Sequence, residues 1–190
     1  MNHSLYRLWD PIKDQPSIAN HPNLSATGFP TGGNLNLPAQ VRGVIYTSLN
    51  MRIQIPSIDM DAELTGVPAT TDAWLIEDLG ARAGLLSGTS LPGEGYSIVV
   101  GHNHLNAAET GPFLLIGELK ENDIIFVTAP DGSLRRFSVY ANELLLPDDM
   151  RKLAEIAEQE SSTLVLVTCE NETIDGGYLN RRAVFAKPLG

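Results

Sequence analysis

The stretch DIIFVTAPDGSLRRFSVYANELLLP, residues 123–147, constrains this chain more than any other. Two runs rich in β-branched and aromatic residues flank Pro130-Asp131-Gly132. Asp-Gly between such runs is strong hairpin chemistry, because the turn needs positive φ and Gly adopts it without strain. A hairpin alone is marginal in water, so further strands have to complete a sheet around it.

Those strands are present on both sides. "MRIQIPSI" alternates, and Pro56 marks its end or edge. "AELTGV" is a second short strand, and "YSIVVGHNH" is a buried run of β-branched residues leading into a polar loop. "STLVLVTC" and "RRAVFAKPL" supply the last two strands, separated by the loop "ENETIDGGYLN". Helical signals are few. "DAWLIEDLGA" reads as a brief helix ending at Gly80. "GPFLLIGELKEND" reads as a turn of helix and a loop, with Phe113, Leu115 and Leu119 turned inward. "PDDMRKLAEIAEQES" is the one amphipathic helix, opening on Pro147 and paired aspartates, with Met150, Leu153 and Ile156 on one face. Many short strands with one or two short helices make a mostly β barrel or sandwich.

Residues 1–50 have another texture. "KDQPSIANHPNLSATGFPTGGNLNLPAQ" is rich in Asn, Pro, Gly and Ser without a sustained period, and reads as an extended or poorly ordered arm. Before it, Leu5, Tyr6, Leu8, Trp9 and Ile12 cluster at helical spacing, so a short docking helix is expected there, interrupted at Asp10-Pro11. The organisation is therefore an arm over 1–50 followed by a β domain over 51–190. With 43% hydrophobic and 19% charged residues, that domain can bury a core.

A net charge of −10 argues against nucleic acid as partner, since phosphate contacts need clustered Lys and Arg. The single cysteine excludes an intrachain disulfide, and no Cys/His grouping has zinc-site spacing. No run approaches about 18 apolar residues, so any membrane association is expected through an anchor outside this sequence. Asp59, Asp61 and Glu63 are the nearest approach to a carboxylate cluster, but their alternate spacing fits one solvated strand face, and no metal or other cofactor is expected.

Three polar residues stand where a strand meets a loop: His102 after "SIVVG", Cys169 after "TLVLVT", and Arg181 opening the last strand. Taken singly they are a small core thiol, a loop histidine and an edge charge. Taken together they match what a cysteine nucleophile requires: a thiolate, a proton donor for a leaving amine, and a cation for the oxyanion.

The segments around them resemble the sortase family, the cysteine transpeptidases that attach surface proteins to bacterial cell walls or link pilins. The resemblance runs in order over about residues 51–190. "RIQIPSIDMDAELTGV" resembles the opening strands, and "SLPGEGYSIVVGHNH" the P-G-x-x-G segment leading to a Gly-His. "GPFLLIGELKENDIIFV" resembles the P-F segment followed by L-x-x-G-D-x-I, with Asn122 where Gly is common. "TLVLVTC" resembles T-L-x-T-C, and "RRAVFA" the final strand that opens on an arginine.

The resemblance implies a closed sortase-type β-barrel of about eight short strands. It makes Cys169 the nucleophile, His102 the acid/base and Arg181 the substrate or oxyanion clamp, with Thr168 and His104 as substrate-binding neighbours. Counting back from Ala186 selects Arg181, while Arg182 would face the other side of the strand. The implied partners are a sorting-signal peptide of roughly Leu-Pro-x-Thr-Gly type and an amine acceptor, either a peptidoglycan precursor or a pilin lysine. The implied place of work is the extracellular face of the bacterial membrane. Pilin-type members carry a lid with Asp-Pro-aromatic. Trp9-Asp10-Pro11-Ile12 holds those elements in a different order, and Leu37-Pro38 resembles only the start of a sorting signal, so residues 1–50 remain a lid, a stalk or a packing segment. A pilin polymerase or hydrolase of the same type, and a non-catalytic β-barrel binding module, are the competing readings.

Overall fold

A computed structural model describes residues 44–70, 74–146, 153, 162–172 and 178–190. The expected docking helix, the Trp9–Ile12 and Leu37-Pro38 motifs and nearly all of the amphipathic helix over 147–161 lie outside the described residues. From that last segment Leu153 is described, helical and buried.

Eight strands close a barrel: β1 (Thr47–Ile55), β2 (Met60–Val67), β3 (Ala83–Leu86), β4 (Ser97–Val100), β7 (Ile124–Thr128), β8 (Leu134–Leu145), β9 (Leu164–Glu172) and β10 (Tyr178–Leu189). Around the barrel they run β1-β2-β3-β4-β9-β10-β8-β7, with β7 pairing back to β1. The pairs β2–β3 and β4–β9 are parallel, and the others antiparallel. The expected Asp-Gly hairpin joins β7 to β8, with Gly132 at φ 82. β1 starts at Thr47 and ends where Pro56 opens a 3-10 turn.

Period-two alternation turns every second residue of each strand into the barrel, and some strands bury the alternate residues as well. Every barrel strand contributes to the interior, through residues such as Ile53, Leu64, Leu85, Val99, Ile125, Phe137, Leu166 and Val184. The alternate residues of β4, β9 and β10, among them Val100, Val167, Cys169, Ala183 and Phe185, form a second cluster with Trp74, Ile76, Leu79 and Leu153 outside the barrel wall. Buried on both faces, β4 and β9 read as unbroken apolar runs, as strands of parallel pairing do.

Three elements differ from expectation. The segment read as a brief helix before Gly80 is a 3-10 turn, Glu77–Leu79, preceded by a Trp74–Ala69 bridge and stopped by Gly80 at φ 61. The polar stretch after β4 contains a small two-stranded sheet, β5 (His104–Asn106) with β6 (Glu109–Thr110). In the 110s, Phe113 and Leu119 are buried as expected, but Leu115 is exposed and Ile116 points inward. The turn there, Ile116–Glu118, is 3-10, and at three residues per turn 113, 116 and 119 share a face. Asn122, where Gly is common in the family, has φ 71, a left-handed conformation that Asn tolerates better than most side chains.

Candidate active site

The nucleophile candidate is placed by the sheet. Cys169 is the Cα partner of Arg181 across the antiparallel β9–β10 pair, and Thr168 the partner of Arg182. Directly paired residues share a face. Cys169 and Arg181 therefore lie side by side on the outer wall, 4% and 3% exposed. Arg181 Nη1 donates to the Asn180 carbonyl at 2.9 Å, which holds the guanidinium against β10. Arg182 faces the other way and is clamped by the Glu170 carboxylate, Nε to Oε2 at 2.5 Å and Nη2 to Oε1 at 2.6 Å.

His102 leaves the end of β4 in a tightly built loop. Gly101 N donates to the Val167 carbonyl, Phe113 N to the His102 carbonyl at 3.0 Å, and Gly111 N to the Asn103 carbonyl at 2.7 Å. Thr168 Oγ1 donates to the Gly101 carbonyl at 2.8 Å. Two glycines make this possible. A Cβ on Gly111 would sit 2.1 Å from the His102 carbonyl oxygen, and one on Gly101 would sit 2.6 Å from the Phe113 ring. The ring of His102 lies 3.0 Å through Nε2 from the Ile76 carbonyl. A carbonyl only accepts, so Nε2 carries the hydrogen and Nδ1 is the nitrogen of the neutral ring that can take up a proton.

Burial acts on both titrating groups in the direction of neutrality. It pushes the Cys169 thiol up to about 11, opposed by the positive field of Arg181. It lowers His102, opposed by its bonds to the Ile76 and Glu77 backbone.

A cleft of about 430 Å³ opens at this end of the barrel, and Cys169, Thr168 and His104 line it, along with Asn103, Glu170 and Arg182. Its far wall, Leu114 to Glu118, is fixed by Asn142, whose Nδ2 donates to the carbonyls of Ile116, Gly117 and Leu119 at 3.1, 3.1 and 2.8 Å. His102 and Arg181 do not line this cleft. The structure thus gathers Cys169 and Arg181 by strand pairing, ties His102 to the same strand through its flanking residues, and puts Thr168 and His104 on the cleft. The Thr168 hydroxyl is already donated within the fold. Asp61 is ion-paired to Arg52 at 2.6 Å and Glu63 accepts from Ser48 at 2.7 Å.

Sequence reasoning passed over Asn103, whose side chain reaches Cys169, and the Arg182–Glu170 pair. A signal for the pair was available, because Glu170 follows the cysteine and Arg182 follows the arginine, so with Cys169 opposite Arg181 both turn to the other face, where they are diagonal neighbours. No comparable signal marked Asn103.

Known proteins bear on this geometry. The model of the sortase domain matches residues 53–189, more than two thirds of the chain. None of the curated proteins compared matches it. Among solved structures, sortase A from Corynebacterium diphtheriae is 22% identical with a TM-score of 0.58, covering 77% of this chain. The chain spans 63% of the length of that protein. Sortase C-1 from Actinomyces oris is also 22% identical with a TM-score of 0.58, over 74% of this chain and 73% of its own. Sortase C of Streptococcus pneumoniae is 23% identical with a TM-score of 0.54, over 73% of this chain and 65% of its own. At such identity these structures share the barrel, while the domain match carries the kinship: the chain belongs to the sortase family, the cysteine transpeptidases.

Proposed function

We propose that this chain cleaves the C-terminal sorting signal of secreted proteins, of Leu-Pro-x-Thr-Gly type, and joins the acyl product to an amine. The observation that carries the reading is the direct cross-strand pairing of Cys169 with Arg181 beside a cleft that reaches the cysteine. In the proposed sequence the Cys169 thiolate adds to the peptide carbonyl, forming a C–S bond, and Arg181 stabilises the oxyanion by charge-assisted hydrogen bonding. Protonated His102 delivers its proton to the leaving amine as the C–N bond breaks. An acceptor amine then attacks the thioester and releases the sulfur, or water does so slowly. Thr168 and His104, on the cleft wall, contact the peptide.

The acceptor is a peptidoglycan precursor or a pilin lysine, and the enzyme works on the outer face of the bacterial membrane. No helix among the described residues is long and apolar enough to cross a membrane. A pilin-linking role has support in the shared fold of the S. pneumoniae sortase C, a protein with pilin substrate specificity. The test is product analysis with a panel of sorting-signal peptides. Cleavage after the fourth motif residue, with transfer to an added amine, is the expected result. Peptides left intact by a folded protein whose thiol resists mild alkylation would leave the binding-module reading in its place.

A further inference from the structure

The parallel ladder between β4 and β9 ends beside the histidine. It pairs Ser97 with Leu164 through Val100 with Val167, and Gly101 N adds a bond to the Val167 carbonyl at 3.2 Å. In a parallel ladder each strand contributes rungs at every second residue. The next rung would run from the main-chain N of residue 103 to the carbonyl of residue 169. That carbonyl is met instead by a side chain: Asn103 Nδ2 donates to it at 2.9 Å. The same carboxamide accepts from His104 N through Oδ1 at 2.8 Å, and the residue is buried.

We propose that Asn103 is a positioning residue of the transpeptidase reaction, its carboxamide carrying the β4–β9 register one step beyond the sheet to hold His102 at a fixed offset from Cys169. A regular strand would make this rung with its backbone and keep residue 102 in the pleat. A side-chain rung reaches the same acceptor from a backbone that has already turned away, and the ring of His102 is then placed against the Ile76 carbonyl. His102 is thereby held on both sides by residues bonded to the nucleophile segment, Gly101 to Val167 and Thr168, Asn103 to Cys169. The chemistry selects the residue type. The Cys169 carbonyl requires a donor and the His104 amide requires an acceptor, and a carboxamide supplies both, whereas an ionised carboxylate supplies only the second.

The inference rests on the transpeptidase reading, and its test separates the two. Asn103→Ala, Asn103→Asp and Asn103→Gln are compared with wild type, using the Leu-Pro-x-Thr-Gly peptide that wild type cleaves best. The measurements are the single-turnover rate of thioacyl formation, KM, Tm and the ring 15N shifts of His102. Asn103→Ala and Asn103→Asp are expected to slow acylation by on the order of 10- to 100-fold with little change in KM, the cost of a misplaced acid/base. Their His102 shifts should move from the Nε2–H pattern toward mixed tautomers, and Asn103→Gln should recover part of both. Should Asn103→Ala fail to fold, the other two variants, which retain bulk, carry the same comparison. Acylation within about twofold of wild type, or a lowered Tm with an unaltered His102 spectrum, overturns the positioning role. A wild type that forms no thioacyl adduct overturns the transpeptidase reading instead, and the His102 spectra then decide the effect of Asn103 on the ring by themselves.

Discussion

At Cys169 the loss of solvent outweighs the nearby guanidinium, so the thiol is raised from 9.0 to about 11 even with Arg181 opposing. His102 moves down from 6.5 by the same desolvation. Near neutral pH both shifts favour the uncharged forms, and the thiolate–imidazolium pair that the proposed mechanism uses is a minor population. Alkylation of Cys169 by iodoacetamide is expected to rise with a midpoint near 11, and Arg181→Ala should move that midpoint higher by removing the favourable field. A midpoint at the ordinary thiol value would contradict this. Stability carries the same signs. The raised thiol contributes fully below 9.0 and loses its contribution as pH rises toward 11. The lowered histidine contributes fully above 6.5 and loses its contribution as pH falls through its folded value. Plots of Tm against pH should therefore flatten on the alkaline side in Cys169→Ser and on the acid side in His102→Gln. The neighbouring arginines separate by readout. Arg181→Ala should cost on the order of 100-fold in turnover. Arg182→Ala breaks a half-buried ion pair and should lower stability by about 1–3 kcal/mol while sparing most of the chemistry. Equal losses of turnover would undo the choice between the two.

Cys169 and Arg181 sit on long strands, whereas the loop that carries His102 is ordered by close approach. The loop carrying His102 depends on Gly111, where even a methyl group meets main chain at 2.1 Å. Gly111→Ala is expected to destabilise by on the order of 1–3 kcal/mol and to slow acylation, both measurable on one purified sample, while wild-type values in both would mean the loop tolerates displacement. Much of this scale was legible in the residues. The Asp-Gly hairpin and the apolar runs of β4 and β9 announce themselves by turn chemistry and β-branched composition. The inward set of the 110s was misjudged by one residue because a 3-10 turn repeats every three residues and the sequence offers no cue to choose it over an α turn. Asn103 was illegible for another reason. Its partner is 66 positions away, and only knowledge that β4 lies parallel to β9 makes it a rung.

For the whole molecule, closure is the organising fact. Every strand of the barrel lies between Thr47 and Leu189, and β1 pairs with both β2 and β7. Deleting residues 1–43 is accordingly expected to leave one cooperative thermal transition with Tm moved by no more than ~4 °C, and loss of that transition would make the arm part of the fold. The same deletion speaks to self-occlusion, because a lid would raise peptide cleavage on its removal and a stalk or packing segment would not. The closed wall also brings distant segments together: neighbouring strands β9 and β10 set Cys169 opposite Arg181, and the residues flanking His102 beyond β4 are bonded to β9. The most direct measurement is intact-mass spectrometry with peptide mapping after brief exposure to a cleavable sorting-signal peptide. The account predicts a mass gain equal to the acyl half of the peptide, mapped to Cys169 and absent in Cys169→Ala. An adduct at any other residue, or one that persists in Cys169→Ala, would contradict it.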